Sequence, residues 1–535
     1  MSQGLTGATL TLPVPTRSRF LNLTPHLLGL LLVSCCLAWA SEKPRPASSG
    51  NLARRIESIL RLSDAKRGHW GIEVVRVSDG RILYKRNADQ LFLPASNMKL
   101  FTTAAAIEKL HPDFRFRTTV EADAPPDAGG RVRELLLVSR GDPNLGNRVI
   151  PNQPRSPNQE PADAIFQKLA AQVAARGVRE VTGNLIADDS YFLYEPFSHG
   201  WDEEDLQWGY AAPVTALAFN DNALLMRVRP APKVGERAEV LIEPFADYYV
   251  LNNRVETGPT GVRKQIYVER QQGTRQLDVW GEIPIDAGDD EDSVSIANPP
   301  QLAGELFRKA LEARGIVVRG SVQVRHLTRA EAAASPDPFP KSPPRVVLAE
   351  HLSEPLAEDI KTINKFSHNL HVEMLLRTMG HELKGYGSLT VGLQVLDEFA
   401  AEAGIQPDEV VFTDGSGLSR HTLVTPQAVI KLLKYMARSP RFEAFLESLP
   451  VAGEDGTLAR RLGGTRTRGR IRAKTGTMDH VNALSGYMEL PSGRRLAFSI
   501  IGNSHPMKSV AAAATIDSIV EAIYRQFGGS GRKTK

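Results

Sequence analysis

Apolar positions along this chain change period several times, and each change marks an element. Leu52 to Leu62 carries apolar residues at helical spacing, while Trp70 to Val77 and Arg81 to Tyr84 read as two strands joined by the turn Ser78-Asp79-Gly80. Leu100, Ala104 and Ile107 again share one helical face, and Leu93-Pro94-Ala95-Ser96 in front of them reads as a helix start, since Pro suits the first turn. At the other end, Arg470 to Thr477, Val481 to Leu490 and Arg495 to Ile501 are strand-like, with Pro491-Ser492-Gly493 turning between the last two and a helix over about Val510 to Phe527. Two strands from the start and three from the end predict one antiparallel sheet assembled from both chain ends and flanked by the terminal helices.

The middle must then be an insertion, and its pattern differs. Over 117–345 short β-like runs dominate: Leu135 to Ser139, Val181 to Ala187, Ala223 to Val228, Glu239 to Ile242, Gln265 to Glu269 and Val317 to Val324. Pro151 to Pro161 and Asp286 to Asp292 read as loops, and the stretch from Ser335 to Pro344 reads as a stiff Pro-rich linker. Helical periodicity returns from Leu352 to Ala400, with Ser367-His368-Asn369 at a turn between two helices. The expected layout is a signal peptide at 1–40, a linker at 41–52, one domain in two pieces at 53–116 and 346–535, and inserted β-rich domains at 117–345.

Composition adds three points. A length of 535 residues, 42% hydrophobic and 24% charged, fits a multidomain globular protein. Arg17 and Arg19, the apolar run Leu27 to Leu37 and then Ala38-Trp39-Ala40 read as an export leader cut before Ser41; a lipoprotein cut before Cys35 would leave apolar residues at the new terminus. The only cysteines, Cys35 and Cys36, fall in that leader, so the mature chain has no disulfide and no thiol nucleophile. A net charge of +4 over this length argues against nucleic acid as a partner, and the leader's apolar run is shorter than the roughly 20 residues a membrane span needs. The expected location is the periplasm or cell envelope, with no membrane segment in the mature chain.

Candidate chemistry lies in three short signatures: Ser96-Asn97-Met98-Lys99, Ser367-His368-Asn369 and Lys474-Thr475-Gly476-Thr477. A serine hydroxyl is a weak nucleophile until a base takes its proton, and a lysine three positions along a helix shares its face. A helix start also turns unpaired N–H groups toward a developing oxyanion. Single matches are cheap, since Ser63-Asp64-Ala65-Lys66, Ser49-Gly50-Asn51 and Ser156-Pro157-Asn158 also fit, but they lack the helix-start and turn context. No Gly-x-Ser-x-Gly elbow supports a Ser-His-Asp hydrolase, and His381-Glu382 lacks the second histidine of a zinc helix, so neither a metal nor a cofactor is expected.

Arg140-Gly141-Asp142-Pro143, Gly183-Asn184-Leu185 with Asp188 to Phe192, Trp201, Tyr210-Ala211-Ala212-Pro213, Asp414 to Arg420 and Asp455-Gly456-Thr457-Leu458 stand around these signatures. In that order they resemble the class C, type 4 penicillin-binding proteins, the D-alanyl-D-alanine carboxypeptidase/endopeptidase family of serine peptidases (S13), over nearly the whole mature chain. The resemblance implies an α+β fold: a penicillin-recognising, transpeptidase-like domain, with an antiparallel sheet, flanking helices and a helical subdomain, split by the insertion. It implies hydrolysis of peptidoglycan stem peptides through acyl-Ser96, with β-lactams as mimics of the substrate. Lys99 would be the base, Ser367 a proton relay, Asn369 a holder of the substrate amide and of Lys99, and Lys474 with Thr475, Gly476 and Thr477 the grip on the terminal carboxylate. Asp188 and Arg420 would bind the diamino-acid side chain of the stem; Asp479 stands where a family member can have Gln. Two alternatives stay open: a β-lactamase, against which the Ser-x-Asn motif and the insertion speak, and an inactive cell-wall binding protein.

Overall fold

Residues 471–478, 481–489, 495–503, 69–76 and 82–86 form one antiparallel sheet in that spatial order, so the two chain ends do meet. The structure, a computed structural model, describes residues 49–146, 160–334, 345–464 and 466–528. The leader expected at 1–40, most of the loop at Pro151–Pro161 and the Pro-rich stretch Ser335–Pro344 lie outside the described residues. Strand alternation sorts the sheet's side chains onto two faces. Ile72, Val74, Leu484, Met488 and Ile500 pack under the terminal helices Ser49–Leu60 and Ser509–Gly528. Val75, Ala483, Tyr487, Ala497 and Ile501 face the other way, into a helical region built from Lys99–Lys109, Leu356–Phe366, Asn369–Lys384, Leu389–Glu402 and Pro426–Met436.

The helix Lys99–Lys109 is buried on nearly every side, which fits its run of small and apolar residues, Leu100 to Ile107. Helix Leu356–Phe366 ends at Ser367 and helix Asn369–Lys384 starts two residues later, so the Ser-x-Asn signature occupies a helix-to-helix turn as the sequence predicts.

The middle of the chain has its own core. A mixed five-stranded sheet runs in the order Val322–Leu327, Leu185–Leu193, Leu135–Ser139, Arg117–Ala122, Val346–Leu352, and the helices Ala164–Ala175 and Pro299–Glu312 contribute to the same core. Strand Val346–Leu352 pairs antiparallel with Arg117–Ala122, so the chain leaves this sheet after residue 352 and not at 345. Two runs expected as single strands are each broken by a glycine. Glu180–Val181 and Leu185–Leu193 part at Gly183, and Val317–Val318 and Val322–Leu327 part at Gly320, whose added Cβ would lie 2.5 Å from the Gly183 carbonyl oxygen. The two backbones therefore cross closely there. Part of the acidic loop expected at Asp286–Asp292 is instead strand, Asp290–Ser295 pairing with Ala223–Arg229. Cross-strand cations explain this: Arg227 lies 2.9 Å from Glu291, and Arg229 3.0 Å from Asp289.

Candidate active site

Ser96 sits in a short 3-10 turn, Ala95–Met98, that runs directly into the helix Lys99–Lys109. Side chains three apart eclipse in such a turn, which stands Lys99 over Ser96 with Nζ 2.9 Å from Oγ. Ala95, just before the serine, has φ 45°, a left-handed conformation that costs a residue with a Cβ about 1 kcal/mol or more. Two glycines hold it there by close approach. A Cβ at Gly417 would lie 1.9 Å from the Ala95 carbonyl oxygen, and one at Gly476 would lie 2.6 Å from that of Pro94.

Lys99 is fully buried, and its Nζ also donates to Asn369 Oδ1 at 2.6 Å and to the Ser416 carbonyl at 2.8 Å. Burial pushes this amine down to about 7, against the opposing pull of the Asp414 and Glu373 carboxylates. Those two acids build the floor of the site. Glu373 Oε1 accepts from the backbone N–H groups of Gly415 and Ser416, both at 2.8 Å, while its Oε2 meets Ser198 Oγ at 2.9 Å and Arg377 at 3.1 Å. Asp414 accepts from the N–H groups of Gly417 and Ser419, from the hydroxyls of Ser416 and Thr422 and from the indole of Trp201. Burial and the neighbouring Glu373 push Asp414 up, but a carboxylate receiving that many donors is held as the anion. Together these bonds aim the Ser416 carbonyl at Lys99.

Ser367 closes helix Leu356–Phe366 in a left-handed conformation, φ 62° and ψ 41°, and its Oγ accepts from Lys474 Nζ at 2.9 Å. Asn369 Nδ2 donates to the Tyr210 carbonyl at 2.7 Å, tying the turn to the inserted segment. Lys474 is fully buried, and burial first, then the charge of Lys99, pushes its amine well below the ordinary lysine value. It lies on Ile471–Met478, an edge strand of the sheet whose outer side is met at Ile471 and Ala473 by the backbone of Ala452 and Pro450. Thr475 Oγ1 meets Thr457 Oγ1 at 2.8 Å, and Thr477 is exposed toward the cleft.

A cavity of about 340 Å³ opens above these groups, bounded by Ser96, Ser367 and Asn369 at its base and by Asp205, Tyr210, Arg420, Thr477 and Asp479 on its walls. Asp205 accepts from the Tyr210 hydroxyl at 2.7 Å, and Arg420 pairs with Asp202 at 2.6 Å. The hydrogen bond and charge of Asp202, with Asp479 and Asp205 adding to it, raise the Arg420 guanidinium still further.

Ser96, Lys99, Ser367, Asn369, Lys474, Thr475, Gly476, Thr477 and Arg420 thus gather around one cleft. Asp188 does not. It is buried in strand Leu185–Leu193, where its Oδ1 accepts from the N–H and hydroxyl of Ser190 and its Oδ2 lies 3.8 Å from Arg325, so it is a structural carboxylate of the insertion. The acids that do reach the cleft are Asp479 and, from the insertion, Asp205. The signal of Asp205 in the sequence is the run Asp202-Glu203-Glu204-Asp205 between Trp201 and Tyr210, which reads as an ordinary solvated cluster. Glu373 and Arg377, four apart on a helix, likewise read as a surface pair, yet both are buried.

Among the described residues no helix is long and apolar enough to cross a membrane. The model of the D-Ala-D-Ala carboxypeptidase 3 (S13) family matches residues 52–525. A D-alanyl-D-alanine carboxypeptidase of Actinomadura sp. is 38% identical over 493 residues, covering 90% of this chain and 86% of that protein. The D-alanyl-D-alanine carboxypeptidase DacB of Haemophilus influenzae is 26% identical over 439 residues, covering 80% of this chain and 84% of that protein. The crystal structure of penicillin binding protein 4 from Haemophilus influenzae superposes with a TM-score of 0.74 at 23% identity, covering 90% of this chain and 99% of that one, which shows a common fold. With a match that runs through all three signatures and nearly the whole described chain, this protein belongs to the D-Ala-D-Ala carboxypeptidase 3 (S13) family.

Proposed function

We propose that this protein is a serine-type D-Ala-D-Ala carboxypeptidase that cleaves peptidoglycan stem peptides through an acyl-Ser96 intermediate. The observation that carries the reading is the buried Lys99 amine, pushed down to about 7 and 2.9 Å from the Ser96 hydroxyl. An ordinary lysine is neutral about once in 2500 molecules at pH 7, whereas this one is neutral about half the time. That restores nearly all of the roughly 10² to 10⁴ that a positioned base supplies.

Neutral Lys99 takes the Ser96 proton as Oγ attacks the carbonyl carbon of the penultimate D-alanine. The N–H groups of Ser96 and Thr477 receive the oxyanion, each worth about 3 to 4 kcal/mol. The proton passes from Lys99 through Ser367 to the nitrogen of the departing D-alanine, the C–N bond breaks, and water hydrolyses the ester with Lys99 again accepting a proton. Lys474 holds its charge poorly beside Lys99, so the arriving terminal carboxylate, gripped also by Thr475 and Thr477, restores that charge and draws substrate in. Asn369 holds Lys99 and a substrate amide. On the cavity wall Asp205 and Asp479 suit an ammonium and Arg420 a carboxylate, the two ends of a diamino-acid side chain. Such a substrate lies outside the cytoplasmic membrane, which agrees with the export leader read at 1–40.

Fluorescent penicillin should label the wild type and not Ser96→Ala, and the wild type should release D-alanine from stem peptides. Digestion of terminal and of cross-linked muropeptides, read by mass spectrometry, separates carboxypeptidase from endopeptidase action. Stable labelling with no peptide cleaved would leave an inactive binding protein, and rapid loss of label a β-lactamase.

A further inference from the structure

Two cavities meet at Tyr210, Ser367 and Asn369. The first is the cleft that holds Ser96 and runs to Thr477 and Asp479 at the end of the edge strand. The second, of about 280 Å³, takes in none of that strand and is walled instead by Trp208, Ala223, Leu225 and Phe366, with Asn220, Asp292 and Ser293 as polar groups among them. Two of its rings face solvent: Phe366 is 42% exposed and Tyr210 49%. The wall is built before anything binds. Gln207 accepts from the Ser295 N–H at 2.8 Å, Trp208 bridges to Val294, and a Cβ at Gly209 would lie 2.3 Å from Ser293 Oγ, so this segment sits tight on the strand Asp290–Ser295. Its other side is tied to the Ser-x-Asn turn by the bond from Asn369 Nδ2 to the Tyr210 carbonyl at 2.7 Å.

The chemistry at Ser367 says what such a cavity can hold. The departing nitrogen takes its proton from the Ser367 hydroxyl, so the leaving group begins where the two cavities meet. The acyl half of the substrate occupies the first. When the leaving group is free D-alanine, Lys474 takes its carboxylate and only a methyl group is left, which makes no use of the second cavity. When the bond is a cross-link, the departing nitrogen is the side-chain amine of a second stem peptide, and an aliphatic arm follows it with peptide bonds at the far end. Aromatic and aliphatic walls suit the methylene groups of that arm, while Asn220, Asp292 and Ser293 suit the peptide groups beyond it.

We propose, resting on the acyl-Ser96 reading, that the second cavity is the subsite for the leaving half of a cross-linked stem peptide, with Trp208 and Phe366 holding the aliphatic arm of its diamino acid. Ser96 Oγ bonds to the D-alanine carbonyl carbon, the C–N bond to the arm breaks, and the Ser96 proton, carried by Lys99 and Ser367, leaves on the arm's nitrogen. Water then splits the ester and returns the hydroxyl to Ser96. The products are one stem ending in D-alanine and one with a free side-chain amine. Trp208 and Phe366 thus bear on the cross-link and not on terminal D-alanine.

The full mature chain is given a cross-linked muropeptide dimer and, separately, an uncross-linked stem ending in D-Ala-D-Ala, with products timed by mass spectrometry. The wild type should split both. Trp208→Ala and Phe366→Ala should each lower kcat/KM on the dimer about tenfold or more, the worth of a methylene group's packing, while D-alanine release from the monomer and penicillin labelling of Ser96 stay within about twofold. The Trp208 indole packs against the core of the insertion, so its loss can unfold the chain; Phe366 stands outside the buried cores, and its variant then decides. Equal loss on dimer and monomer, or no loss on either, overturns the subsite. So does a wild type that releases D-alanine from the monomer and leaves the dimer whole, a result under which the acyl-Ser96 reading stands. A wild type that takes no penicillin and splits neither peptide refutes that reading, and the subsite with it.

Discussion

Lys99 carries the largest consequence of any single residue. Its folded pKa of about 7 lies below the ordinary 10.5, and the neutral amine is the reactive form. Acylation by a fluorescent penicillin should therefore fall about tenfold per pH unit below 7 and level off above it, a rising limb at acid pH. A limb near 10 would refute burial as the device that activates the base. Glu373 tests the floor beneath it. Its charge raises the Lys99 pKa, so in Glu373→Gln the limb should move to lower pH. Glu373→Ala should in addition strand buried Arg377, at a cost of about 3 to 5 kcal/mol in a denaturant titration. Ser96, Lys99 and Lys474 are legible in the sequence because their signatures are short. Glu373 is not, since an i,i+4 pair looks the same on a wet face as on a buried one.

At the scale of elements, the site is a junction: the turn Ala95–Met98 lies between the edge strand Ile471–Met478 and the Asp414–Arg420 loop. Contacts between backbones set its spacing. Gly417→Ala would drive a Cβ into the Ala95 carbonyl oxygen and force a side chain onto φ 76°. A shift of about 1 Å at a reacting atom can cost about 10²-fold. Penicillin labelling of Gly417→Ala should accordingly slow by about that factor while the chain still melts cooperatively; unchanged labelling would show that the junction yields. The strands of the main sheet are plain in the sequence because each is a run of alternating or apolar residues between turn residues. The breaks at Gly183 and Gly320 are not, because their cause is another strand far along the chain.

For the molecule as a whole, the insertion is part of the cleft as well as a neighbour of it. It supplies the Tyr210 carbonyl that Asn369 donates to and the Asp205 carboxylate on the cavity wall. If Asp205 receives the ammonium of the third stem residue, Asp205→Asn should raise KM about tenfold or more for stem peptides bearing that ammonium, the worth of one charge-assisted hydrogen bond. With a neutral side chain at that position the variant and the wild type should match. Equal loss on both peptides would assign Asp205 to bracing Tyr210 instead.

What the sequence alone determined is local. The Ser-to-Lys spacing, the helix-to-helix turn at Ser367 and the five strands of the main sheet follow from periodicity and turn chemistry, which act over a few residues. The ordered signatures add the family. Only the tertiary structure decided the rest: that Asn369 reaches Lys99 across 270 positions, that Asp205 and not Asp188 faces the cleft, and that Asp221 meets two histidines about 150 positions away. Burial and long-range contact set charge states and partners, and both are created by packing, which no short stretch of sequence contains.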